Sequence, residues 1–136
     1  MCWISADRKT VEQIRKVGLP AEHLLSAKGI CRALTSKWWL VGAYSSDILF
    51  CLSGGAKIFN LWHGVGLKYC EFNITSGPLA DRYYKKTLKE RFYHPEVFRR
   101  PDLMLTASPF QTAMFSPAFI IPKSRCIEQA YPRNLI

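Results

Sequence analysis

The chain has 136 residues, 49% hydrophobic and 21% charged. That is the composition of one folding core of common size, which argues against a multi-domain machine, a disordered segment, a collagen-like repeat and a disulfide-stapled miniprotein. Nineteen Lys and Arg against ten Asp and Glu leave a net charge of +9, so an anionic partner is expected: nucleic acid, a membrane surface or a phosphate-rich substrate. The most apolar stretch, residues 38–52, is broken by Ser45, Ser46 and Asp47 and is shorter than the ~20 residues a spanning helix needs. The opening MCWISADRKT lacks a basic region followed by an apolar run, which makes the cytoplasm the expected compartment. Cys2, Cys31, Cys51, Cys70 and Cys126 are odd in number and far apart, with no C-x-x-C pair, as suits reduced, mostly buried thiols and no zinc site.

In chain order, CWIS at 2–5 reads as a short strand. Asp7 is placed to cap a helix through Val17, with Val11, Ile14 and Val17 on one face and Gly18-Leu19-Pro20 stopping it. Ser26 caps a second helix reaching Leu34. Residues 38–41, continuously apolar, read as a buried strand. Gly54-Gly55 marks a turn, KIFNLW at 57–62 is a strand, and His63-Gly64-Val65-Gly66 breaks it. Over 79–93 a helix is expected. Ala80, Tyr84, Leu88 and Phe92 recur every four positions, while Arg82, Lys85, Lys86 and Lys89 lie opposite. Asp102 to Thr106 is a strand, Ser108-Pro109 starts a helix reaching about Phe115, Pro117 ends it, and residues 124–129 form a last strand. Short apolar strands alternating with helices predict an α/β fold, a wound parallel sheet that meets ligands at the carboxyl ends of its strands.

Two segments carry chemistry. In Leu61-Trp62-His63-Gly64-Val65-Gly66-Leu67-Lys68, at the end of a strand, a histidine can accept a proton from an attacking hydroxyl. Gly64 and Gly66 admit a ligand close to the backbone, and Lys68 adds a positive charge for phosphate. The plain alternative is a packed histidine beside Trp62. In Gln129-Ala130-Tyr131-Pro132-Arg133-Asn134, Arg133 and Asn134 could clamp a phosphate or hydroxyl, and an ordinary surface turn is the alternative.

Together, LWHGVGLK at 61–68, DLMLTASPFQTAMFSPAF at 102–119 and AYPRN at 130–134 resemble the CDP-glycerol glycerophosphotransferase family, the polymerases and primases of teichoic acids and related capsules. Their order and spacing match over residues 38–134. The sequence departs from the family pattern at Gly66, where Pro is usual, Asn73 for Asp, Ala130 for Gly and Leu135 for Asp. The resemblance implies a Rossmann-like domain similar to the N-terminal, acceptor half of a GT-B fold. Residues 1–136 would be a single acceptor-side domain, a fragment unable to turn over alone, with the CDP-glycerol donor half missing.

The resemblance further implies transfer of glycerol phosphate from CDP-glycerol to a hydroxyl of a teichoic-acid-like or capsular polymer, with release of CMP. In such an in-line phosphoryl transfer His63 is the expected base. Trp62, Gly64, Gly66, Lys68, Ser108, Arg133 and Asn134 are expected around the substrate, Ser108 through the amides of a helix start. No cofactor or metal is implied. The acceptor is expected to be lipid-linked or polymeric and rich in phosphate. Arg82, Lys85, Lys86 and Lys89 with neighbouring aromatic rings suit peripheral contact with the inner face of a bacterial membrane, against a plain solvated face. Three alternatives stay open. Nucleic-acid binding lacks a zinc-finger, RNP-like or helix-turn-helix signature. A phosphate loop at Ser53-Gly54-Gly55-Ala56-Lys57 lacks the G-x-x-x-x-G-K-[ST] pattern and reads better as a tight hairpin-like turn. The last is a non-catalytic remnant that binds polyanion or membrane.

Overall fold

The computed structural model describes residues 1–64, 70–77, 80–81, 83 and 88–131. Strand β1 (Trp3–Ser5) leads into helix α1 (Arg8–Lys16), and Asp7 caps it, accepting from the backbone N–H of Lys9 and of Thr10 at 3.1 Å each. Gly18, at φ +81°, turns the chain out of the helix. Strand β2 (Ala21–His23) follows, which the hydrophobic pattern does not announce because Ala-Glu-His carries no apolar run. Tertiary contacts make it: β2 pairs parallel with β1, and Arg15 of α1 donates to the Ala21 carbonyl at 2.7 Å and pairs with Glu22 at 2.8 Å. Helix α2 (Ala27–Thr35) starts at Ser26, whose Oγ accepts from Gly29 at 3.0 Å. Gly29 is the residue that fits, since a Cβ there would lie 2.1 Å from the His23 carbonyl oxygen.

Strands β3 (Trp38–Val41), β4 (Lys57–Asn60), β5 (Leu103–Thr106) and β6 (Cys126–Glu128) form a parallel sheet in that order, and β1 with β2 forms a separate parallel pair. The α/β class and the parallel pairing are as expected. A hairpin-like turn at 53–57 is not formed. Parallel strands need a crossover, and 3-10 turns at Ser45–Asp47 and Phe50–Gly55 supply it between β3 and β4. On β3, Trp39 and Val41 pack with Ala33, Ala56 and Ile58, and the Trp39 indole donates to the Ala33 carbonyl at 3.1 Å. Trp38 and Leu40, on the other face, stay 38% and 50% exposed, so the run WWLV is buried on one face only.

Strand β4 stops at Asn60, two residues short of Trp62, because Asn60 Oδ1 accepts from the Trp62 amide at 2.8 Å and Trp62 takes φ +53°. Asp102 joins the next strand to it, accepting from the Ile58 amide through Oδ2 at 2.9 Å and donating its own amide back to Ile58 at 2.8 Å. Helix α4 (Pro109–Ala118) is capped by Ser108 as expected but continues past Pro117, which in the last turn forfeits a single amide bond. Its end closes when Ile121 donates to Ser116 at 3.0 Å and Ile120, at φ +52°, to Pro117 at 3.2 Å. A 3-10 turn at Lys123–Arg125 shortens the last strand to three residues. Met104, Phe115, Ala118, Phe119 and Ile121 form the second core cluster, with Trp62 packed against it.

Of the helix expected over 79–93, helix α3 (Leu88–Tyr93) is described, and it buries no residue: Leu88 and Phe92, expected to face the core, are 85% and 82% exposed. Tyr83 is buried instead, because its hydroxyl meets that of Tyr44 at 3.3 Å and its ring packs edge-on against Phe72. All five cysteines are free, and none is fully buried. Cys31 and Cys51 are exposed, the other three half-buried. Among the described residues no helix is long and apolar enough to cross a membrane.

Candidate functional site at the carboxyl ends of the sheet

The chain leaves β3 through Gly42 and Ala43, whose amides both donate to Asp47 Oδ2, at 3.1 and 2.9 Å. Buried Asn60, at the end of β4, donates to the Ala43 carbonyl at 2.7 Å and so ties the two strand ends together. Two residues on, Trp62 sits in left-handed backbone space, a conformation that costs a non-glycine residue about 1–2 kcal/mol. Its indole offsets the strain by packing edge-on against Phe115 and Phe119, with centroids 5.8 and 5.0 Å away.

His63 is exposed and stacks on Trp62 at 4.5 Å with a 29° interplanar angle. Its Nδ1 lies 3.4 Å from the Gly42 carbonyl oxygen. A carbonyl accepts only, so this contact needs the hydrogen on Nδ1, and in the neutral ring that leaves the basic lone pair on Nε2.

Gly64 is held by α4 and by the stretch after β6. Gln111 of α4, 1% exposed, donates through Nε2 to the Gly64 carbonyl at 3.0 Å and to the Tyr131 hydroxyl at 2.6 Å, and that hydroxyl donates to the same carbonyl at 3.2 Å. Gln111 Oε1 accepts from the Ala107 amide at 2.6 Å, and its own amide donates to Ser108 Oγ. Thus residues from two separate segments, α4 and the stretch after β6, converge on one backbone oxygen beside His63. Around them, buried Thr106 and Thr112 share a 2.8 Å hydroxyl contact, and Thr112 donates to Glu128 at 2.8 Å, so this carboxylate is taken up by the framework.

A second buried network braces β3. Glu71, at φ +51°, accepts from the Tyr44 hydroxyl. Burial first, and then the hydrogen bond to Glu71, raise the Tyr44 phenol far above its ordinary range. Burial and then the charge of Glu71 push the Cys70 thiol up to about 11. Among the described residues no cluster of His, Cys, Asp or Glu could hold a metal ion.

Of the residues expected at the site, Trp62, His63, Gly64 and Ser108 lie at these strand ends, with Gly64 and Ser108 both bonded to Gln111. Ser108 Oγ serves as the helix cap. A Cβ on Gly64 would meet no described atom within 4 Å, so the fold itself does not require glycine there. Gly66, Lys68, Arg133 and Asn134 lie outside the described residues, as do Arg82, Lys85 and Lys86, and Lys89 is exposed on α3. Gln111 and Tyr131 are the residues that sequence reasoning misses. Both stand inside the quoted motifs, DLMLTASPFQTAMFSPAF and AYPRN, which is the signal that could have found them.

A parallel α/β sheet with a histidine-bearing loop gathered at its strand carboxyl ends has the layout of a domain that handles a ligand at that edge. The chain belongs to the CDP-glycerol:poly(glycerophosphate) glycerophosphotransferase family, whose model matches residues 1–134. It is 26% identical over 103 residues to the teichoic acid glycerol-phosphate transferase of Staphylococcus aureus (strain NCTC 8325 / PS 47), a match covering 73% of this chain and 24% of that protein. The chain therefore spans about a quarter of the length of this curated relative. Its fold is similar to that of the wall teichoic acid polymerase TagF. A histidine-to-asparagine variant soaked with CDPG matches with a TM-score of 0.71 at 21% identity, over 98% of this chain and 32% of that one. The unsubstituted polymerase matches with a TM-score of 0.62 at 22% identity, over 84% and 27%.

Proposed function

We propose that this chain is the acceptor-side, Rossmann-like domain of a GT-B-type transferase that moves glycerol phosphate from CDP-glycerol to a hydroxyl of a teichoic-acid-like or capsular polymer. The observation that carries this reading is an exposed histidine at a strand carboxyl end, its loop gripped through the Gly64 carbonyl by Gln111 and Tyr131. In the proposed step the acceptor oxygen forms a bond to the phosphorus of the glycerol phosphate unit. The bond from that phosphorus to CMP breaks, and the acceptor proton passes to Nε2 of His63. The backbone hydrogen bonds that fix the loop supply the positioning on which such a transfer depends. Lys68, Arg133 and Asn134 complete the anion-binding side of the site in this reading, with Trp62, Gly64, Gly66 and Ser108 around the substrate.

The same reading has the protein working at the inner face of a bacterial membrane. Lys89 stands on α3 between exposed Leu88 and the exposed Phe92–Tyr93 pair, an apolar and basic surface suited to headgroup depth, and Arg82, Lys85 and Lys86 would extend it. Two measurements test the reading. In the full-length transferase carrying this domain, His63→Ala should slow CMP release from CDP-glycerol by about 10²–10⁴-fold, and unchanged turnover refutes His63 as base. Salt-titrated binding should favour poly(glycerol phosphate) or anionic vesicles, and a preference for single-stranded DNA over both defeats the proposal.

A further inference from the structure

Helix α3 buries none of its residues, yet α3 and the chain that follows it close one side of a hollow of about 140 Å³. Phe72, Arg91, Phe98, Arg100 and Ile120 line it, and among these described residues none is acidic. The apolar floor is fixed from two directions. Phe98 packs edge-on against Phe72 with centroids 5.9 Å apart, and Ile120 is held in the left-handed turn that ends α4. Arg91 lies over the Phe98 ring, its Cζ 5.8 Å from the centroid, so the planar guanidinium is laid on an aromatic face beside the hollow.

Arg99, between them in the chain, serves the framework by donating to the Ala56 carbonyl at 2.8 Å. Arg91 and Arg100 do not. Both are exposed, and among the described residues neither has an ion-pair partner, unlike Arg15 with its Glu22. Two cations lining one hollow repel each other, and an anion seated between them relieves that repulsion. A guanidinium fork matches phosphate oxygens with paired N–H donors. The rings and Ile120 offer contact to hydrocarbon, which a phosphodiester carries on both sides and inorganic phosphate lacks. The hollow also lies within reach of the imidazole. Ile120 follows Phe119, whose ring is 5.0 Å from Trp62, and Trp62 is 4.5 Å from the His63 ring. One further Cα step adds about 3.8 Å, which puts the hollow on the order of 10–15 Å from His63. A glycerol phosphate repeat has as many backbone bonds as a pair of amino-acid residues and spans about 7 Å when extended, so about two repeats bridge that distance.

We propose, resting on the transferase reading above, that Arg91 and Arg100 hold a phosphodiester of the acceptor chain about two repeats back from the hydroxyl presented to His63. The hollow then favours acceptors already several repeats long, because a single unit cannot reach both places at once. Its grip is on the phosphate and the carbon beside it, so it acts on acceptor binding and takes no part in the proton transfer.

The test titrates the chain with glycerol 3-phosphate and with a synthetic tetramer of glycerol phosphate, following the Nε–H resonances of Arg91 and Arg100 and the His63 ring by NMR. The tetramer should shift all three groups and bind at least about tenfold tighter than the single unit. Arg91→Gln or Arg100→Gln should each weaken the tetramer at least about tenfold, as the loss of hydrogen bonds to a charged group does. Arg91→Lys keeps the charge and loses the fork, so it should weaken binding as well. Lys9→Gln, which removes an exposed cation on α1, should leave binding unchanged. Both arginines are exposed, so their variants should keep the parent's amide spectrum, and Arg100→Gln carries the test should Arg91→Gln unfold. Four results overturn the proposal: a tetramer that moves none of the three groups, Lys9→Gln weakening binding as much as Arg91→Gln (the diffuse field of the +9 charge), Arg91→Lys binding like the parent, or phosphatidylglycerol vesicles shifting the two arginines where the tetramer does not (a lipid headgroup). The transferase reading is judged separately, by CMP release in the His63→Ala variant, which leaves both arginines in place.

Discussion

The grip on the Gly64 carbonyl makes a quantitative prediction. Gln111 Nε2 has two hydrogens, both used, one on Gly64 and one on Tyr131. Tyr131→Phe removes the hydroxyl and strands one of these donors at a site 1% exposed, which should cost about 1–3 kcal/mol. Gln111→Leu removes both donors and also the Oε1 acceptor of the Ala107 amide, and should cost about 2–4 kcal/mol. In the double variant the stranded donor is already gone, so the two losses should not add, and a coupling of about 1–2 kcal/mol is expected. Urea unfolding of the four proteins, followed by tryptophan fluorescence, gives the cycle. Additivity within about 0.5 kcal/mol would refute the shared grip, because groups that do not interact add to that precision.

Three further outcomes are expected. Gly29→Ala gains about 1 kcal/mol of helix propensity but puts a Cβ 2.1 Å from the His23 carbonyl oxygen, so it should lose about 1–2 kcal/mol net in denaturant unfolding; a variant as stable as the parent would mean that α2 does not pack this closely. The Asp7 carboxyl is held below its usual 3.8 by the Thr10 hydroxyl and then by the Lys9 and Thr10 amides. A depressed folded value stabilises above the unfolded one and is lost as pH falls through it, so acid should weaken the fold below about pH 4, and Asp7→Asn should flatten that slope. Exposed Cys31 and Cys51 should react first with N-ethylmaleimide. Cys70, pushed up to about 11, is about one-thousandth thiolate at pH 8, and labelling it as fast as Cys31 would contradict its burial beside Glu71.

Much of the fold is legible because local chemistry and tertiary structure agree. Asp7, Ser26 and Ser108 cap the helices they are expected to cap, and the strands expected at 38–41, 57–62 and 102–106 form over 38–41, 57–60 and 103–106. The failures share a cause, which is that the deciding partner is distant in sequence. Strand β2 depends on β1 and Arg15 rather than on its own residues. The face buried near residue 83 is chosen by Tyr44 and Phe72, which periodicity cannot see. The site divides the same way. His63 and its neighbours are found by residue type, whereas Gln111 reads as an ordinary helix residue until Gly64, 47 positions earlier, is brought to it.

The geometry of Trp62 explains why the site and the second core cluster stand or fall together. To expose His63 at the strand end the chain must turn sharply, and Trp62 makes the turn at φ +53° instead of a glycine. Glycine would remove a strain of about 1–2 kcal/mol but would also remove the ring that packs on Phe115 and Phe119 and on which His63 stacks. The indole is partly buried against the second core cluster, and its two edge-on pairs are worth about 0.5–1.5 kcal/mol each beyond the area they bury, so the packing offsets the strain. The left-handed tryptophan is thus a device that couples the imidazole to α4, the same helix that holds the Gly64 carbonyl through Gln111. A shift of α4 would therefore move both ends of the His63 loop at once, and the loop can hold its histidine steady only while that helix is packed against the sheet.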